Sequence, residues 1–456
     1  MGETVKKPVL QSARDLTTGA LAPQIIRFSL PLIFSNLLQV LFNMADVAVV
    51  GRFAGSLALG AVGSTTTLVT LFTGLLIGMA DGVNVLTATF FGAKDKRALD
   101  ETIHSAAVIH LIIGTLVLLA GSGLARPILT LMNTKPELME SAVLYLRIYF
   151  LGMPAAALFN LGNAVFSAVG NTRLPLMYLS LAGVVNVLLN LFFVIVCRID
   201  VAGVALASTI SQYLSAGLVI RALLRSGEDY GLHLNRLRLT RSRCRAILSL
   251  GVPAGLQNAI FTVANLFVQV GVNTFDAVMV AGNSAASNAD SMVYTTMAAF
   301  YTACGSFIGQ NYGAGRKDRV RHTFFLCMGF AVGAAVIMGA GLLTMGRPFL
   351  SLFSADAAVV EAGMLRLQVM CLSYCLSPFM DCPIAASRGL GKSLGSTIIV
   401  ITGSCVFRVL WIYTVFAWVG TAPSLYLLYP CSWCITAVAE LLYFRRVYRE
   451  ASAHMA

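Results

Sequence analysis

The chain has 456 residues, of which 57% are hydrophobic and only 11% charged, with a net charge of +12. A soluble domain carries roughly 25% charged residues, so this balance excludes an ordinary water-soluble enzyme and points to long segments immersed in lipid. The positive charge lies in short loops and one linker, which is the signature of membrane topology and anionic lipid contact and argues against nucleic-acid binding.

The first 24 residues are polar and carry Lys6, Lys7 and Arg14. The apolar run behind them is longer than the roughly 7–15 residues of a signal-peptide core and is read as a retained first span. Twelve helices are predicted, at about 25–50, 57–90, 102–124, 138–166, 175–197, 201–224, 246–272, 281–310, 322–345, 357–386, 396–418 and 424–446. Lipid forces the backbone to satisfy its own hydrogen bonds, which leaves helices or a closed barrel. Period-two alternation is absent, so the expected fold class is an all-α polytopic membrane protein. Residues 225–245 form a basic polar linker between the sixth and seventh spans. The expected layout is a segment 1–24, a first lobe 25–224, the linker, a second lobe 246–447 and a tail 448–456.

The two lobes are copies. Pro31, Asn36 and Asn43 recur 222 positions later as Pro253, Asn258 and Asn265. At an offset of 221, Gly92, Ala93 and Lys96 recur as Gly313, Ala314 and Lys317, Arg126-Pro127 as Arg347-Pro348, and Gly170 as Gly391. Six spans per copy is an even number, so the repeats enter the membrane in the same direction and are related by an axis along its normal. Only Arg52, Arg126, Lys135, Arg198 and Arg347 fall on the side opposite the N-terminus, whereas the linker and the remaining loops hold most of the Lys and Arg. That asymmetry places both termini in the cytoplasm.

The ten cysteines sit mostly in apolar runs, and Cys431 and Cys434 form a CxxC with no second pair, so they read as apolar filler. Five scattered histidines have no metal-ligand spacing. No nucleophile triad, HExxH or phosphate-binding loop is present, which argues against an intramembrane enzyme and against ATP as the direct energy source.

The strings FNMADVAVVGRFAG (42–55), NVLLNLFFVIVCRIDVAGVALAST (186–209) and GQNYGAG (309–315) resemble the multidrug and toxic compound extrusion (MATE) family, in its prokaryotic DinF-like type. The resemblance covers about residues 17 to 447. It implies a pair of six-helix lobes in the cytoplasmic membrane of a prokaryote, alternating access, and efflux of organic cations and drugs by antiport with inward H⁺ or Na⁺. No cofactor beyond that coupling ion, and no oligomer, is implied. Two departures from similar proteins are visible. Asn190 stands where many carry an Asp, and the first copy of the GQNYGAG string reads ATFFGAKD.

A carboxylate in the middle of a span costs on the order of 2.5–3.5 kcal/mol on insertion scales, so each one needs a reason. Asp46 matches the position of the family's coupling carboxylate in the first lobe, and its charge can be cancelled and restored. Asn186 and Asn190 share one helical face. With Asn160, Asn163 and Ser208 they are candidates to surround Asp46, either as ion-coupling ligands or as interhelical polar glue. A single carboxylate at this place suggests one ion per cycle.

In the second lobe, Arg408 inside the eleventh span needs an anion, and Asp381 is the expected structural ion-pair partner. Alternatively, Asp290 or Asp381 attracts a cationic substrate, with Met292, Met297, Phe300 and Tyr301 offering apolar and cation–π surface. Phe42, Met44 and Tyr294 extend that candidate set. Asp81 is a further pathway candidate near the cytoplasmic end of the second span. Glu440 is expected to snorkel toward Arg445 and water. Arg147 and Arg366 read as repeat-related structural residues. Pro31 and Pro253 are candidate gating bends, because a proline frees a carbonyl and permits a kink. The competing function is a flippase for lipid-linked or polyprenyl substrates, disfavoured because the deep charges are mainly acidic.

Overall fold

The computed structural model describes residues 13–455; Lys6, Lys7 and the rest of 1–12 lie outside the described residues, as does Ala456. Every regular element among them is helical. The first half runs α1 (Leu21–Val49), a π turn (Val50–Ala54), α2 (Gly55–Gly92), α3 (Lys96–Leu131), α4 (Pro136–Leu151), α5 (Met153–Ala168), α6 (Arg173–Leu191) with a π turn (Phe192–Val196), and α7 (Asp200–Leu224). After a 3₁₀ turn at Leu234–Arg236, the second half runs α8 (Arg241–Val272), α9 (Ala277–Gly313), α10 (Lys317–Ser351), α11 (Ala357–Ser373) and α12 (Ser377–Gly389). One span then follows in pieces, α13 (Leu394–Val400), α14 (Phe407–Trp411) and α15 (Ala417–Val419), parted by π turns. The short α16 (Ala422–Tyr426) leads into α17 (Leu428–His454).

Among the described residues nine helices are long and apolar enough to cross a membrane, or ten if the pair α4 and α5, bent by 45°, is one span. That reckoning takes Leu21–Gly92 as one stretch of 72 residues. At about 1.5 Å per residue such a stretch would run about 108 Å, over three times the roughly 30 Å of a bilayer core, so it holds two spans. The 37-residue α9 is also long enough to cross, but Asn283, Ser284, Ser287, Asn288 and Asp290 lower its hydropathy. The twelve-span reading is consistent with this inventory.

The repeat is visible in detail. The fourth span of each half is broken, with a proline in the first turn of its second piece: Pro154 in α5 and Pro378 in α12. Proline is tolerated there because its missing N–H has no helical partner to lose. Gly170 and Gly391, offset by 221, both take φ of +81°, a turn that side chains with a Cβ rarely adopt. Arg126–Glu140 and Arg347–Glu361, at the same offset, are ion pairs of 2.5 and 2.7 Å. Both are exposed and contribute little stability, typically about 0–1 kcal/mol. Their value is as a marker of the shared geometry.

The described residues form two compact units: one takes 34–255 with 13–16, and the other takes 17–33 with 256–455. These follow the two sequence halves except at the leading helices. The start of α1 belongs to unit 2 and the start of α8 to unit 1. Pro31 and Pro253 each lie two residues before the change of unit.

The start of α8 is held in unit 1 by glycines. A Cβ on Gly78 would sit 2.2 Å from the Gly255 backbone nitrogen, and one on Gly82 would sit 2.7 Å from that of Gly251. Both helices therefore carry a G-x-x-x-G face, which lets backbones approach closely in lipid. In unit 2, the start of α1 is anchored by Phe28, whose ring meets Phe307 edge-on at 5.4 Å. Gly78→Leu is expected to push α8 off α2 and to destabilise the protein by about 1–3 kcal/mol or more, the usual range for overpacking. Thermal unfolding in detergent, compared with Gly63→Leu at an open position, measures this.

Candidate functional site

In unit 1 four polar side chains from three helices close into a ring. Asn190, on α6, donates its amide to Asp46 Oδ1 and also to Asn186 Oδ1 at 3.3 Å. Asn186 donates to Ser208 Oγ at 3.4 Å, and Ser208, on α7, donates to Asp46 Oδ2 at 3.3 Å. The i,i+4 spacing of the asparagines puts both amides on one face of α6. Asn186, Asn190 and Ser208 are buried while Asp46 is half-buried, so the ring is walled by protein on the amide side. The Phe42 ring fills the space over Gly183, where a Cβ would come within 1.8 Å of it, drawing α1 against α6.

Asn160 instead donates to Ala156 O at 3.0 Å, and no hydrogen bond among the described residues ties Asn160 or Asn163 to Asp46. Tyr145 and Tyr149, stacked at 5.8 Å on α4, lie within electrostatic reach of Asp46. Sequence reasoning passed over them, although their i,i+4 spacing was a signal. Chemically, the ring offers carboxylate, amide and hydroxyl oxygens and no soft ligand. Asn190 Oδ1 is buried without a protein partner. Such a set suits a hard monovalent cation or a proton on the carboxylate.

Unit 2 holds a different network and corrects one expectation. No ion pair among the described residues joins Asp381 to Arg408. Asp381 accepts from Ser377 Oγ one helical turn earlier, at 2.7 Å, so its carboxylate is already engaged on its own helix. Arg408 donates to Asn265 Oδ1 at 3.2 Å and to Ser432 Oγ at 3.4 Å, and stacks on Phe261 and Tyr429. The lobe's direct pair is Arg366–Asp290, at 2.5 Å. Arg366 also donates to Asn283 Oδ1 at 2.8 Å, and Tyr374 donates its hydroxyl to Asp290. Asp290 is therefore a neutralised carboxylate rather than a free attractor of cations.

Met297, Phe300 and Tyr301 are core side chains of unit 2, whereas Met292 and Asp381 are half-buried. Arg147 is exposed although Arg366 is buried, so these repeat-related positions have diverged. Glu440 also departs from expectation. It neither snorkels nor meets Arg445, being fully buried. Arg445 lies five residues on, about 140° around a helix of roughly 100° per residue, and so points away.

The linker is no loose tether. Glu101, near the start of α3, accepts from Arg97 at 3.1 Å, Arg243 at 3.3 Å and Arg238 at 3.4 Å. The Arg97 hydrogen bond first, then that of Arg243, holds its carboxyl below the usual glutamate range against the opposing effect of burial. Ser105 Oγ donates to Arg238 O and accepts from the Thr240 N–H, both at 3.1 Å. His104 accepts the His233 N–H on Nε2 at 3.0 Å while Nδ1 faces Asp100 O at 2.7 Å. Asp100, His104 and His233 bring three ligand atoms within 4.8 Å. Both His104 nitrogens already have backbone partners, however, so the trio fits a strap better than a metal. Glu101→Gln is expected to loosen this strap and speed tryptic cleavage at Arg236 and Arg238 by about tenfold, for a loss near 1.4 kcal/mol. Because the Glu101 carboxyl is held down, its contribution is full near neutrality and is lost as pH falls through its lowered pKa.

A family model described as MatE matches residues 31–192 and 253–414, once in each half. The chain belongs to the MATE family of membrane transporters. It is 25% identical over 437 residues to the "Probable multidrug resistance protein YpnP" of Bacillus subtilis, covering 95% of this chain and 97% of the relative. It is 23% identical to the "Probable multidrug resistance protein NorM" of Thermotoga maritima, with 82% of each chain covered. Among solved structures it resembles "Outward-facing conformation of a multidrug resistance MATE family transporter of the MOP superfamily", with a TM-score of 0.89, 21% identity, and 96% of this chain and 98% of that one covered.

Proposed function

We propose that the protein is a secondary active antiporter that exports small organic molecules, organic cations and drugs among them, in exchange for inward H⁺ or Na⁺. The observation that carries this reading is the ring of Asp46, Asn190, Asn186 and Ser208. The multidrug resistance names of the relatives point the same way.

The ring works as a switch because hydrogen bonds have direction. With Asp46 ionised, both of its oxygens accept, from Asn190 and from Ser208. A proton on either oxygen turns an acceptor into a donor and opposes the N–H or O–H facing it. Either Ser208 rotates to accept or the carboxyl turns away, and α1, α6 and α7 must repack. Sodium would act similarly by drawing the amide and hydroxyl oxygens inward. Asp46 thus reports ion occupancy to three helices at once, and alternating access follows if their packing sets which side is open. Pro31 and Pro253, beside the changes of unit, are the proposed bends. Asp46 and Asp381 are half-buried span carboxylates whose hydrogen-bond partners are amide and hydroxyl groups, which favours cationic cargo; Met292 is the candidate apolar contact.

The decisive experiment loads proteoliposomes with a fluorescent organic cation and imposes H⁺ and Na⁺ gradients separately. Efflux driven by one of them is expected. Efflux indifferent to both would reject the proposal.

A further inference from the structure

The proposed cycle uses an acid in unit 1 only, yet unit 2 seals one away. Glu440 lies mid-way along α17 with no exposed surface, and neither of its carboxyl oxygens has a hydrogen-bond partner. Its neighbourhood is polar but does not neutralise it. The buried Ser396 hydroxyl, on α13, stands beside it as the nearest donor, outside good hydrogen-bond geometry. Ser387 and Ser393 add two more buried hydroxyl oxygens of that kind where α12 and α13 pack against α17.

The charged groups on the packed elements are otherwise engaged. Arg388 and Asp381, on α12, act on Glu440 only across space and with opposite sign. Arg388 donates to Gln257 Oε1 at 3.4 Å, and Asp381 accepts from Ser377. Arg408 is held at Ser432, eight residues or about 12 Å along α17. Arg366 is spent on Asp290. On α17 itself, Tyr443 is the nearby titratable neighbour.

An ionised carboxylate with one poorly placed hydroxyl and no counter-charge beside it is among the most costly groups to bury. A metal cation would need several converging oxygens, and the serine hydroxyl beside Glu440 supplies one. We infer that Glu440 is a second proton-carrying acid of the transporter, taking its proton from water and returning it to water as unit 2 opens and closes during the cycle. This goes beyond the Asp46 scheme and rests on the exporter reading only for its role in coupling. It also raises the count to two ions per cycle, one of them this proton, where a single carboxylate in the first lobe suggested one ion.

The test uses the full chain in proteoliposomes. Infrared spectroscopy separates the carbonyl stretch of a protonated carboxylic acid from that of a carboxylate. Wild type and Asp46→Asn are expected to share a protonated-acid band that Glu440→Gln lacks and Glu440→Asp retains in shifted form. The proton-to-substrate ratio of efflux is expected to fall by one in Glu440→Gln. The same band surviving in the Asp46→Asn, Glu440→Gln double variant would overturn the inference. So would an unchanged ratio with the band lost, since the acid would then be buried but idle. Neither result touches the role of Asp46, whose failure would show separately as normal coupling in Asp46→Asn.

Discussion

Asp46→Asn is expected to leave a folded, inserted protein that has lost the share of its substrate gradient driven through this carboxylate. The asparagine keeps the shape of the side chain and one acceptor oxygen, so Ser208 or Asn190 retains a partner. What disappears is the group that gains and loses charge. One charge entering across roughly 150 mV supplies about 3.5 kcal/mol, at about 2.3 per 100 mV. At about 1.4 kcal/mol per tenfold, that sustains a gradient of a few hundred-fold for a neutral substrate. The variant should therefore lose about that few-hundred-fold share of its substrate gradient, read as steady-state dye accumulation in vesicles. Wild-type accumulation in this variant would falsify the coupling role.

The second large effect concerns stability. Arg366→Met removes the cation from a buried cluster, leaving the Asp290 charge with the Tyr374 hydroxyl but no counter-charge, and Asn283 Oδ1 without its donor. Breaking one side of a buried pair costs about 3–5 kcal/mol, most of it the desolvation of the abandoned charge. The rings of Tyr426 and Tyr429, over which the guanidinium lies at 5.2 and 5.3 Å, lose a cation–π contact as well. Arg366→Met with Asp290→Asn should recover much of the loss, because no charge is then stranded. Equilibrium unfolding in mixed micelles of the two single variants and the double variant measures the coupling. Strict additivity would mean that the two residues do not act as a pair.

The helical membrane architecture and the repeat were legible because both are one-dimensional signals: run length, hydropathy and a constant offset. The Asp46 ring was legible in part, since the i,i+4 asparagines declare a common helix face. Asn160 does not join the ring through its amide, because a polar residue in a span can satisfy its N–H on the preceding turn, as it does at Ala156. The pairing in unit 2 was misjudged for a related reason. Asp381 and Arg408 are plausible partners by charge, but Ser377 lies one turn before Asp381, and three-dimensional packing gives Arg366 the better carboxylate. Glu440 was misread because distance along a helix says nothing of direction around it. The G-x-x-x-G pair on α2 and α8 was present in the sequence as Gly78, Gly82, Gly251 and Gly255, unread because the partner of such a face is set by folding alone.

The traded beginnings of α1 and α8 bear on biogenesis. A ribosome that has released residues 1–240 has delivered a first half whose glycine-lined face on α2 still lacks its cover, while the segment from Thr17 to Ile33 waits for a host not yet synthesised. Each half is therefore expected to complete its packing only after Gly255 has emerged. A gene cut inside the linker should accordingly yield two fragments, each unstable when made singly and recovered together when made in the same cell.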